Sequence, residues 1–450
     1  MHRLILLLTF LVCSTLSAQN IEQKNTKNEE MSLELANDTL IMPSTTGDLN
    51  TNDTIKNENR FSLIQLIIGY KHQRPHKNET YKYNGLLSTF AFNAVQGFNV
   101  TTGLSYLKEN PTDSTYYEVG GLVNYGIAEN KPRFSGYFSQ LINSEKKSKI
   151  TISGGLTVHQ FGEDFPIKKI INSLASSYFG KNYAKFYQKD FISIHYQQRF
   201  NENLFGEIEL EYANRRTLFN HTVRSPFVKK RIFTSNNPID PTNFGQAGFE
   251  SNNIVKLKLK SAFHLDQVRR LPVIYFNFET GFASNLPKYN YALVGLSTLY
   301  QHDFKDFGNF AAFVNAGLFL STKDLAFMDY KHFYGNETFV GTTKNYLQNF
   351  NLLPYYTHST NKSFAEWHAE YDFNGFLTDA VPFFGKLKWH LITGVHVLHT
   401  YDQPTYYEWS IGLNNIGFKK FRPLRVDFFQ SFNGLKATNG IIVGVKILDV

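Results

Sequence analysis

The sequence predicts an all-β protein, an antiparallel transmembrane β-barrel of about 16 strands with long extracellular loops and a short helix in one loop. Apolar and polar residues alternate with a period of two along most of the chain, which indicates strands with one apolar and one polar face. Many of these segments run for 10–14 residues. Globular strands average about 5 or 6 residues, whereas a tilted strand that crosses a bilayer needs roughly 9–11. Length and alternation together favour a membrane barrel.

The composition excludes several other classes of protein. The chain is 42% hydrophobic and 16% aromatic, which is too apolar for a disordered protein. No apolar run after residue 18 approaches the roughly 20 residues of a membrane-spanning helix. The net charge of +8 is a small excess for 450 residues, so we expect no nucleic-acid partner.

The N-terminal region is predicted to begin with a signal peptide, which directs export and is then removed. Residues 1–18 have a basic start and an apolar stretch from Leu4 to Val12, which is typical of a cleaved signal peptide. Cys13, the only cysteine, lies inside it, so the mature chain would have no disulfide. Residues 19–60 are polar without a period and are predicted to be a flexible periplasmic tail. The barrel is predicted over residues 61–450, where residues 62–71 leave open one additional strand.

Sixteen strands follow one another in the predicted barrel. Their spans are 83–93, 97–107, 115–128, 132–143, 147–160, 190–200, 203–215, 253–266, 272–284, 290–304, 307–321, 362–374, 384–399, 405–415, 421–430 and 440–449. An even number is the rule for bacterial single-chain barrels. The long connections 161–189, 216–252 and 322–361 follow the fifth, seventh and eleventh strands, so all three lie at one end. With a periplasmic N-terminus that end is extracellular, where long loops are expected.

The two faces of the predicted strands have different side chains. The outer, lipid-facing side is predicted from Phe98, Val100, Ile152, Leu257, Trp367 and Val443. Aromatic residues near strand ends are predicted to anchor the barrel at the membrane interfaces: Tyr106, Tyr125, Tyr212 and Trp409.

Charged residues on the polar faces predict two ladders that line the lumen. Glu207, Glu209 and Glu211 alternate along one strand, and Lys256, Lys258 and Lys260 alternate along the next. The second predicted ladder consists of Glu366, His368, Glu370 and Asp372 opposite Lys386, Lys388 and His390. Cross-strand pairs of opposite charge stabilise a sheet by about 0.2–1 kcal/mol each. A soluble sandwich would not require such matching, and its strands would be shorter.

Two of the long loops have features of their own. In loop 161–189, Ile167, Ile170, Ile171, Leu174 and Tyr178 recur at helical spacing after Pro166, which predicts a short helix packed on the barrel rim. In loop 216–252, the basic stretch 224–231 suggests either contact with anionic lipid headgroups or an ordinary solvated loop.

No catalytic motif is present, so no enzyme activity, catalytic residue, cofactor or metal is predicted. His368 has the most suggestive neighbours, because Glu366 and Glu370 share its face. A metal site or a general base could use that arrangement, but any polar-lined barrel strand produces the same spacing. We therefore favour a structural role for His368.

A set of short segments resembles a known family over about residues 61–450. The segments are 330–338 (YKHFYGNET), 352–360 (LLPYYTHST), 369–376 (AEYDFNGF), 179–183 (FGKNY) and 93–97 (NAVQG). Together they resemble the uncharacterised outer-membrane barrel family that usually follows a carboxypeptidase-regulatory-like domain. The resemblance implies a Gram-negative outer-membrane protein without known catalytic residues. In this sequence we expect the polar tail, rather than a regulatory-like domain, before the barrel.

That family is more distantly similar to the BamA-like barrel-assembly superfamily, whose barrels have sixteen strands. In those barrels the loop between strands eleven and twelve folds into the lumen with an Arg-Gly motif. Loop 322–361 falls at the same place, and the resemblance makes it the candidate plug or gate through His332, Tyr334, Gly335, Asn336 and Glu337. Gly335 and Gly341 would let it turn tightly. The Arg-Gly motif is absent, and the last strand ends in Val450 rather than an aromatic residue.

Three functions remain open at this point. We favour a non-enzymatic, plugged or gated barrel for envelope transport or assembly. A porin-like diffusion channel is the alternative, and an outer-membrane hydrolase is a remote one. The expected location is the Gram-negative outer membrane, where the chain would be a monomer among outer-membrane lipid and lipopolysaccharide, with other envelope proteins as possible partners.

Overall fold

The computed structural model describes residues 61–86, 90–162, 167–246, 248–265, 272–322, 324–342, 346–418 and 421–445. The predicted signal peptide and periplasmic tail lie outside these ranges, as does Pro166. Three α-helices are short: α1 (Gln65–Ile68), α2 (Lys169–Leu174), which a π-helix continues over Ala175–Phe179, and α3 (Pro382–Leu387). The 3₁₀-helices are Pro75–Lys77, Pro287–Tyr289, Lys305–Phe307, Phe327–Asp329 and Tyr346–Gln348. Among the helices of the described ranges, none has both the length and the apolar character needed to cross a membrane.

The strands of the structure form one sheet. Its strands are β1 (Tyr70–Arg74), β2 (Glu79–Tyr83), β3 (Ala91–Asn93), β4 (Gly97–Asn110), β5 (Thr115–Gly126), β6 (Lys131–Asn143), β7 (Ser148–Gln160), β8 (Phe186–Arg199), β9 (Leu204–Thr217), β10 (Asn252–His264), β11 (Val273–Ala283), β12 (Tyr291–Asp303), β13 (Asn309–Ser321), β14 (Val340–Thr342), β15 (Phe364–Asp372), β16 (His390–Thr400), β17 (Gln403–Phe418), β18 (Phe421–Asn433) and β19 (Lys436–Val445). Alternating residues with many aromatic and β-branched side chains favour these long strands.

The strands form an antiparallel meander. From β4 to β19 each strand pairs with the next along the chain, except that β13 pairs with β15 and β14 lies elsewhere. At the beginning, β1 pairs with β2, and both β2 and β3 pair with β4. The sheet curls so that loop 322–361 contacts strands as distant as β9 and β18. Among the described residues no ladder joins β19 to β1.

β14 closes part of that gap. This short strand belongs to loop 322–361, and it pairs in parallel with the free edge of β19, with Val340 opposite Val443. The wall therefore has a seam, by which we mean the boundary between β19 on one side and β1 to β3 on the other. Part of the β19 edge is covered by the protein's own loop.

The barrel has two unlike ends. The loop end has the connections that follow β7, β9 and β13, and the turn end has the connections 111–114, 144–147 and 200–203. Large apolar side chains cover the outward face between the two ends. The exposed ones in the strands include Leu104, Val119, Phe134, Ile152, Ile192, Ile208, Leu210, Phe276, Leu296, Leu318, Trp367, Val395, Trp409, Phe428 and Ile441.

Aromatic side chains form two rows on the outward face at the turn end. One row runs through successive ring contacts from Tyr81 to Tyr106 and Tyr117, with 5.0 and 6.0 Å between ring centroids. The second row runs from His302 through Phe304 to Tyr371, at 4.4 and 6.2 Å. An apolar band flanked by aromatic side chains is the usual outer surface of a barrel that spans a membrane.

Two predicted strands differ from the structure, whereas the predicted rim helix is present. The strand predicted at 83–93 is not continuous: β2 ends at Tyr83, the first residue of that range, and of the described residues that follow only β3 (Ala91–Asn93) is strand. The strand predicted at 384–399 begins only at His390, because Pro382 occupies the first turn of α3 and Lys388 ends that helix with a φ of 55°. The predicted rim helix is present as α2 and its π-turn, and it lies beside β3, where Ser173 Oγ accepts a hydrogen bond from the Phe92 amide.

Candidate functional site

The candidate site is the segment that fills the inside of the barrel. We call residues 322–361 the lumen loop. Its apolar side chains are buried against the inward faces of the strands, in two clusters. Leu325, Ala326 and Met328 belong to the first cluster, and Phe333, Phe350 and Leu353 belong to the second. Three polar contacts described below fasten the loop to different parts of the wall.

The first contact joins Asp329 to β9 and β10. Arg215 Nη1 lies 2.7 Å from both carboxylate oxygens of Asp329, and Lys256 Nζ lies 2.7 Å from Oδ1. All three side chains are almost wholly buried, at 0–4% exposure. A buried carboxylate that contacts two cations has its charge compensated. Removing one member of the group leaves the remaining charges buried without a counter-charge. Asp329 therefore acts as a latch between the loop and the wall.

The second contact joins the loop to β17. The amides of Asn351 and Leu352 donate to the two carboxylate oxygens of Glu408, at 2.7 and 2.9 Å. Tyr406 Oη also donates to Glu408, at 2.7 Å. Beside them the ring of Phe350, which is completely buried, lies 4.5 Å from the ring of His368.

The third contact joins the loop to β18. Tyr346 Oη donates to Asp427 Oδ2 at 2.7 Å, and the Arg425 guanidinium lies 4.0 Å from the centre of the Tyr346 ring. Arg425 also bonds Asp427 and Glu370, both at 2.7 Å. The loop thus lies across the lumen from β9 to β18. Its strand β14, which precedes Tyr346 in the chain, lies at the seam.

The five predicted plug residues lie in the first half of the lumen loop. His332 Nε2 bonds the Phe327 carbonyl at 2.9 Å, and its Nδ1 lies 2.6 Å from Ser359 Oγ. The backbone amide of Asn336 donates to the Leu353 carbonyl at 2.8 Å, and the backbone amide of Phe350 donates to the Tyr334 carbonyl at 2.8 Å. These bonds fold the two halves of the loop onto each other.

Gly335 and Glu337 complete that set. A Cβ at Gly335 would lie 2.4 Å from the Leu353 carbonyl oxygen, so close backbone approach, rather than a positive φ, requires glycine there. The Glu337 carbonyl accepts from Tyr183 Oη at 2.9 Å. That bond connects the lumen loop to the connection after β7.

The other two long connections pack together at the loop end. Lys185 Nζ donates to Thr234 Oγ1 and to the Ser235 carbonyl, both at 2.7 Å. Burial lowers the pKa of Lys185 to about 7. Asn182 likewise bonds the amide and the carbonyl of Thr234. The connections 161–185 and 218–251 therefore behave as one packed layer at that end.

The structure places the first charge ladder on the inward face, between β9 and β10. Lys256 lies opposite Glu211, Lys258 opposite Glu209, and Lys260 opposite Glu207. Several of these side chains find closer partners beside the facing one: Glu211 bonds Lys189 at 2.6 Å, and Glu207 lies 3.4 Å from His195. Lys256 binds the latch residue Asp329.

The second predicted ladder is only partly assembled. Glu366, His368, Glu370 and Asp372 face inward on β15, but Lys386 and Lys388 lie in and just after α3 at the turn end. His390 is the one predicted partner nearby, with its Nδ1 3.7 Å from Asp372. Arg425 of β18 takes the expected place of a lysine beside Glu370. The pairing with Lys386 and Lys388 was wrong, because Pro382 starts a helix where a strand was expected.

His368 is part of a buried pair that sequence analysis missed. Its Nδ1 lies 2.9 Å from Nδ1 of His396 on β16, and both rings are completely buried. Glu366 lies 3.5 Å from the other ring nitrogen of His368. Among the described residues, no group of three or more His, Cys, Asp or Glu side chains could hold a metal ion.

A cavity remains beside the lumen loop. Its volume is about 280 Å³, and the ladder residues Glu207, Lys258 and Lys260 line it together with the loop residues Asp329 and His332. Apolar side chains such as Phe278, Leu293 and Met328 also line it, so the cavity combines apolar surface with charged groups of both signs. It is a part of the lumen that the loop leaves unfilled.

The histidines of the lumen loop predict a pH dependence. Burial lowers the pKa of His332 to about 4 and also lowers that of His358, whereas a free histidine titrates near about 6.5. Because folding favours the neutral rings, their stabilisation is complete above about pH 6.5 and is lost as the pH falls towards 4. We expect limited proteolysis of the loop to be faster at pH 4.5 than at pH 7.5. In H332Q/H358Q this pH difference should shrink, and an unchanged difference would contradict the assignment.

Comparison with known proteins gives one family and several remote structural likenesses. Residues 64–413 match the family of unknown function (DUF5686) C-terminal domain. No curated protein matches the chain. The chain is similar to BamA from Haemophilus ducreyi lacking POTRA domains 1–3, with 9% identity and a TM-score of 0.43, over 82% of this chain and 71% of that one.

Two further structures show weaker similarity. For CdiB from Acinetobacter baumannii the identity is 8% and the TM-score 0.38, over 81% of this chain and 58% of that one. For a mutant of the Rh. blastica porin the identity is 10% and the TM-score 0.29, over 77% of this chain and 89% of that one.

Proposed function

Because the chain belongs to the family of unknown function (DUF5686) C-terminal domain, whose description assigns no activity, we propose a function from the geometry of the barrel. The protein is a non-enzymatic outer-membrane β-barrel whose lumen is closed at rest by the lumen loop. It works as a gated barrel in envelope transport or assembly.

The outward face supports the membrane location. Apolar side chains that would be costly in water, such as Leu104 at 65% exposure and Ile441 at 62%, cover the strands between their ends. Aromatic rows mark the turn end. In outer-membrane barrels short turns lie in the periplasm and long loops outside the cell, so the turn end is the periplasmic one.

The latch at Asp329 is the observation that carries the proposal of a closed lumen. An exposed surface loop has no need to bury a carboxylate between two cations of the wall. Here Arg215 and Lys256 both contact Asp329, and the apolar residues beside it are buried in the same core. The lumen loop is therefore part of the folded interior, and under this proposal current passes when the loop moves.

The seam supports a role that includes release of the loop. Unpaired strand edges are sites to which an extended chain can add by main-chain hydrogen bonding. β14 occupies part of the β19 edge, and it belongs to the same loop that closes the lumen. Displacement of the loop would therefore open the lumen and expose the edge together, which suits an extended polypeptide of the envelope as cargo or partner.

A porin-like diffusion channel is the second candidate. The cavity of about 280 Å³ beside the lumen loop, which charged side chains of both signs help to line, favours it, because small solutes could pass if this space connects both ends. The difference between the two functions lies in whether the resting lumen conducts ions.

Conductance of the purified protein in a planar bilayer tests the proposal. We expect the full chain to conduct little, and a deletion of residues 330–350 to give large, steady current steps. That deletion removes Tyr346 and β14 and so releases the loop from β18 and β19. Deletion of residues 242–247, in the connection after β9, is the matched control and should stay closed. A large steady conductance of the unaltered protein would favour the diffusion channel.

A further inference from the structure

A hairpin at the loop end has a construction that the closed lumen does not explain. We call residues 223–233 the rim hairpin. Arg224 forms an antiparallel bridge with Ile232, and the Phe233 amide bonds the Val223 carbonyl at 2.9 Å. The buried Ser225 shapes its turn: its Oγ accepts from the amide of Val228 at 3.1 Å and donates to the Ser177 carbonyl. The hairpin is thus fixed to the π-helix (Ala175–Phe179) that continues α2.

The rim hairpin lies against the outward side of the wall. Phe233, at its base, is buried and packs on Phe92 of β3 with 6.1 Å between ring centroids. Phe92 pairs with Phe98 of β4 and contacts its ring at 5.0 Å. Phe98 shares its face of β4 with Leu104, which points outward. The hairpin therefore approaches the wall from the lipid side, near the end of the strands.

Its exposed surface combines positive charge with apolar side chains. Arg224, Lys229, Lys230 and Arg231 are all exposed, and the sequence contains no Asp or Glu from Leu218 to Pro238. Phe227 is 58% exposed and stacks on Tyr178 at 4.8 Å.

Other apolar side chains extend this surface. Val223 and Ile232 are each 58% exposed, at the base of the hairpin. A rigid surface with cations beside aromatic and aliphatic side chains suits the boundary between lipid headgroups and acyl chains.

We propose that the rim hairpin binds the phosphate groups of a phosphorylated, acylated glycolipid in the outer leaflet. Lys229 and Lys230 contact the phosphates, while Phe227 and Tyr178 lie among the upper acyl carbons. The proposal rests on the proposed membrane orientation, which places the loop end outside the cell. Charge complementarity selects this ligand, because each lysine close to an anionic lipid surface strengthens binding and nearby acidic residues would oppose it.

The test measures how much lipid the full-length protein retains. The protein is purified in a mild detergent with a bisphosphorylated, acylated glucosamine disaccharide, and bound lipid is counted by native mass spectrometry. K229Q/K230Q should reduce the apparent affinity by roughly 30-fold, because one lysine near an anionic surface is worth about fivefold. The control K146Q/K147Q removes the same charge from the turn 144–147 at the opposite end and should retain lipid normally.

Two further probes separate the phosphate and acyl contributions. F227S should weaken binding of the acylated lipid, and inorganic phosphate alone should not displace that lipid. The same lipid without its phosphates should bind as poorly to the unaltered protein as the phosphorylated form binds to K229Q/K230Q. Unchanged retention by K229Q/K230Q, or displacement by inorganic phosphate at equal affinity, would overturn the proposal.

The closed-lumen proposal is tested separately in the same samples. K229Q/K230Q should insert into vesicles and remain non-conducting, because the rim hairpin makes no contact with the latch. If the unaltered protein fails to insert into bilayers at all, the membrane function fails. If it inserts and stays closed but the variants bind lipid equally, only the lipid site fails.

Discussion

Replacing Asp329 by asparagine is expected to release the lumen loop and open the barrel. Asparagine keeps the size of the side chain but removes the charge that Arg215 and Lys256 share inside the protein. Breaking a buried ion pair by removing one partner costs about 3–5 kcal/mol, because the remaining charge stays buried without compensation. We expect D329N to show frequent channel openings in a planar bilayer and much faster proteolysis within residues 322–361.

Asp324 provides the matched control for that variant. It lies in the same loop and pairs with Lys288 at 3.4 Å, but its side chain is 68% exposed. D324N should therefore remain closed, because exposed ion pairs contribute only about 0–1 kcal/mol. Adding R215M to D329N should restore part of the closure, since one of the two cations that Asp329 compensates is then removed. A non-conducting D329N that resists protease would contradict the latch.

Placing a charge on the outward face should destabilise the barrel in lipid. Leu210 lies near the middle of β9 and is 49% exposed on the outer side. An arginine at the bilayer midplane of a membrane barrel costs about 2–4 kcal/mol. L210R should therefore lower the free energy of unfolding from lipid vesicles by that amount, measured by denaturant titration.

An exposed apolar residue outside the band is the control for this substitution. Phe244 is 54% exposed in the connection after β9, at the loop end. F244R should change the free energy of unfolding by less than about 0.5 kcal/mol, as surface substitutions usually do. If L210R were as harmless as F244R, the outward face would be in water and the membrane assignment would be wrong.

The sheet and its charge pattern could largely be predicted from the sequence, because both depend on local alternation. A strand with period two can place its apolar residues outward in only one way, and neighbouring strands then face each other in register. The glutamates at 207, 209 and 211 face the lysines of β10 for this reason. The same alternation was available at Tyr406, Glu408 and Ser410, but these residues lacked an obvious partner on the adjacent strand.

Local alternation also explains the errors. Lys386, Leu387 and Lys388 alternate like a strand, yet Pro382 favours the first turn of a helix and the chain forms α3 instead. The first strand was predicted to be continuous from 83 to 93, although β2 already ends at Tyr83 and β3 begins only at Ala91. A proline or a break in a strand changes the structure of only a few residues. The alternation of apolar and polar residues on either side continues and does not reveal the break.

The contacts of the lumen loop could not be predicted from the sequence. Asp329 lies 114 residues from Arg215 along the chain, and Tyr346 lies 81 residues from Asp427. Neither residue belongs to a periodic segment that would reveal its direction. The resemblance supplied the loop's position but pointed to His332, Tyr334, Gly335, Asn336 and Glu337. The bonds to the wall come instead from β14 and from Asp329, Tyr346, Asn351 and Leu352.

A cysteine pair between β14 and β19 tests most directly whether the lumen loop closes the barrel. Val340 and Val443 are paired residues on adjacent strands, which lie about 4.8 Å apart and within the range a disulfide can bridge. Cys13 is the only natural cysteine and lies in the predicted signal peptide. The measurement is the conductance of V340C/V443C, alone and combined with D329N, before and after reduction.

We expect the disulfide to form readily, V340C/V443C not to conduct, and V340C/V443C/D329N to open only after reduction. The single variants V340C and V443C should show no response to reduction. Failure of the two cysteines to join, or equal conductance of the oxidised and reduced triple variant, would show that the loop does not close the lumen at the seam.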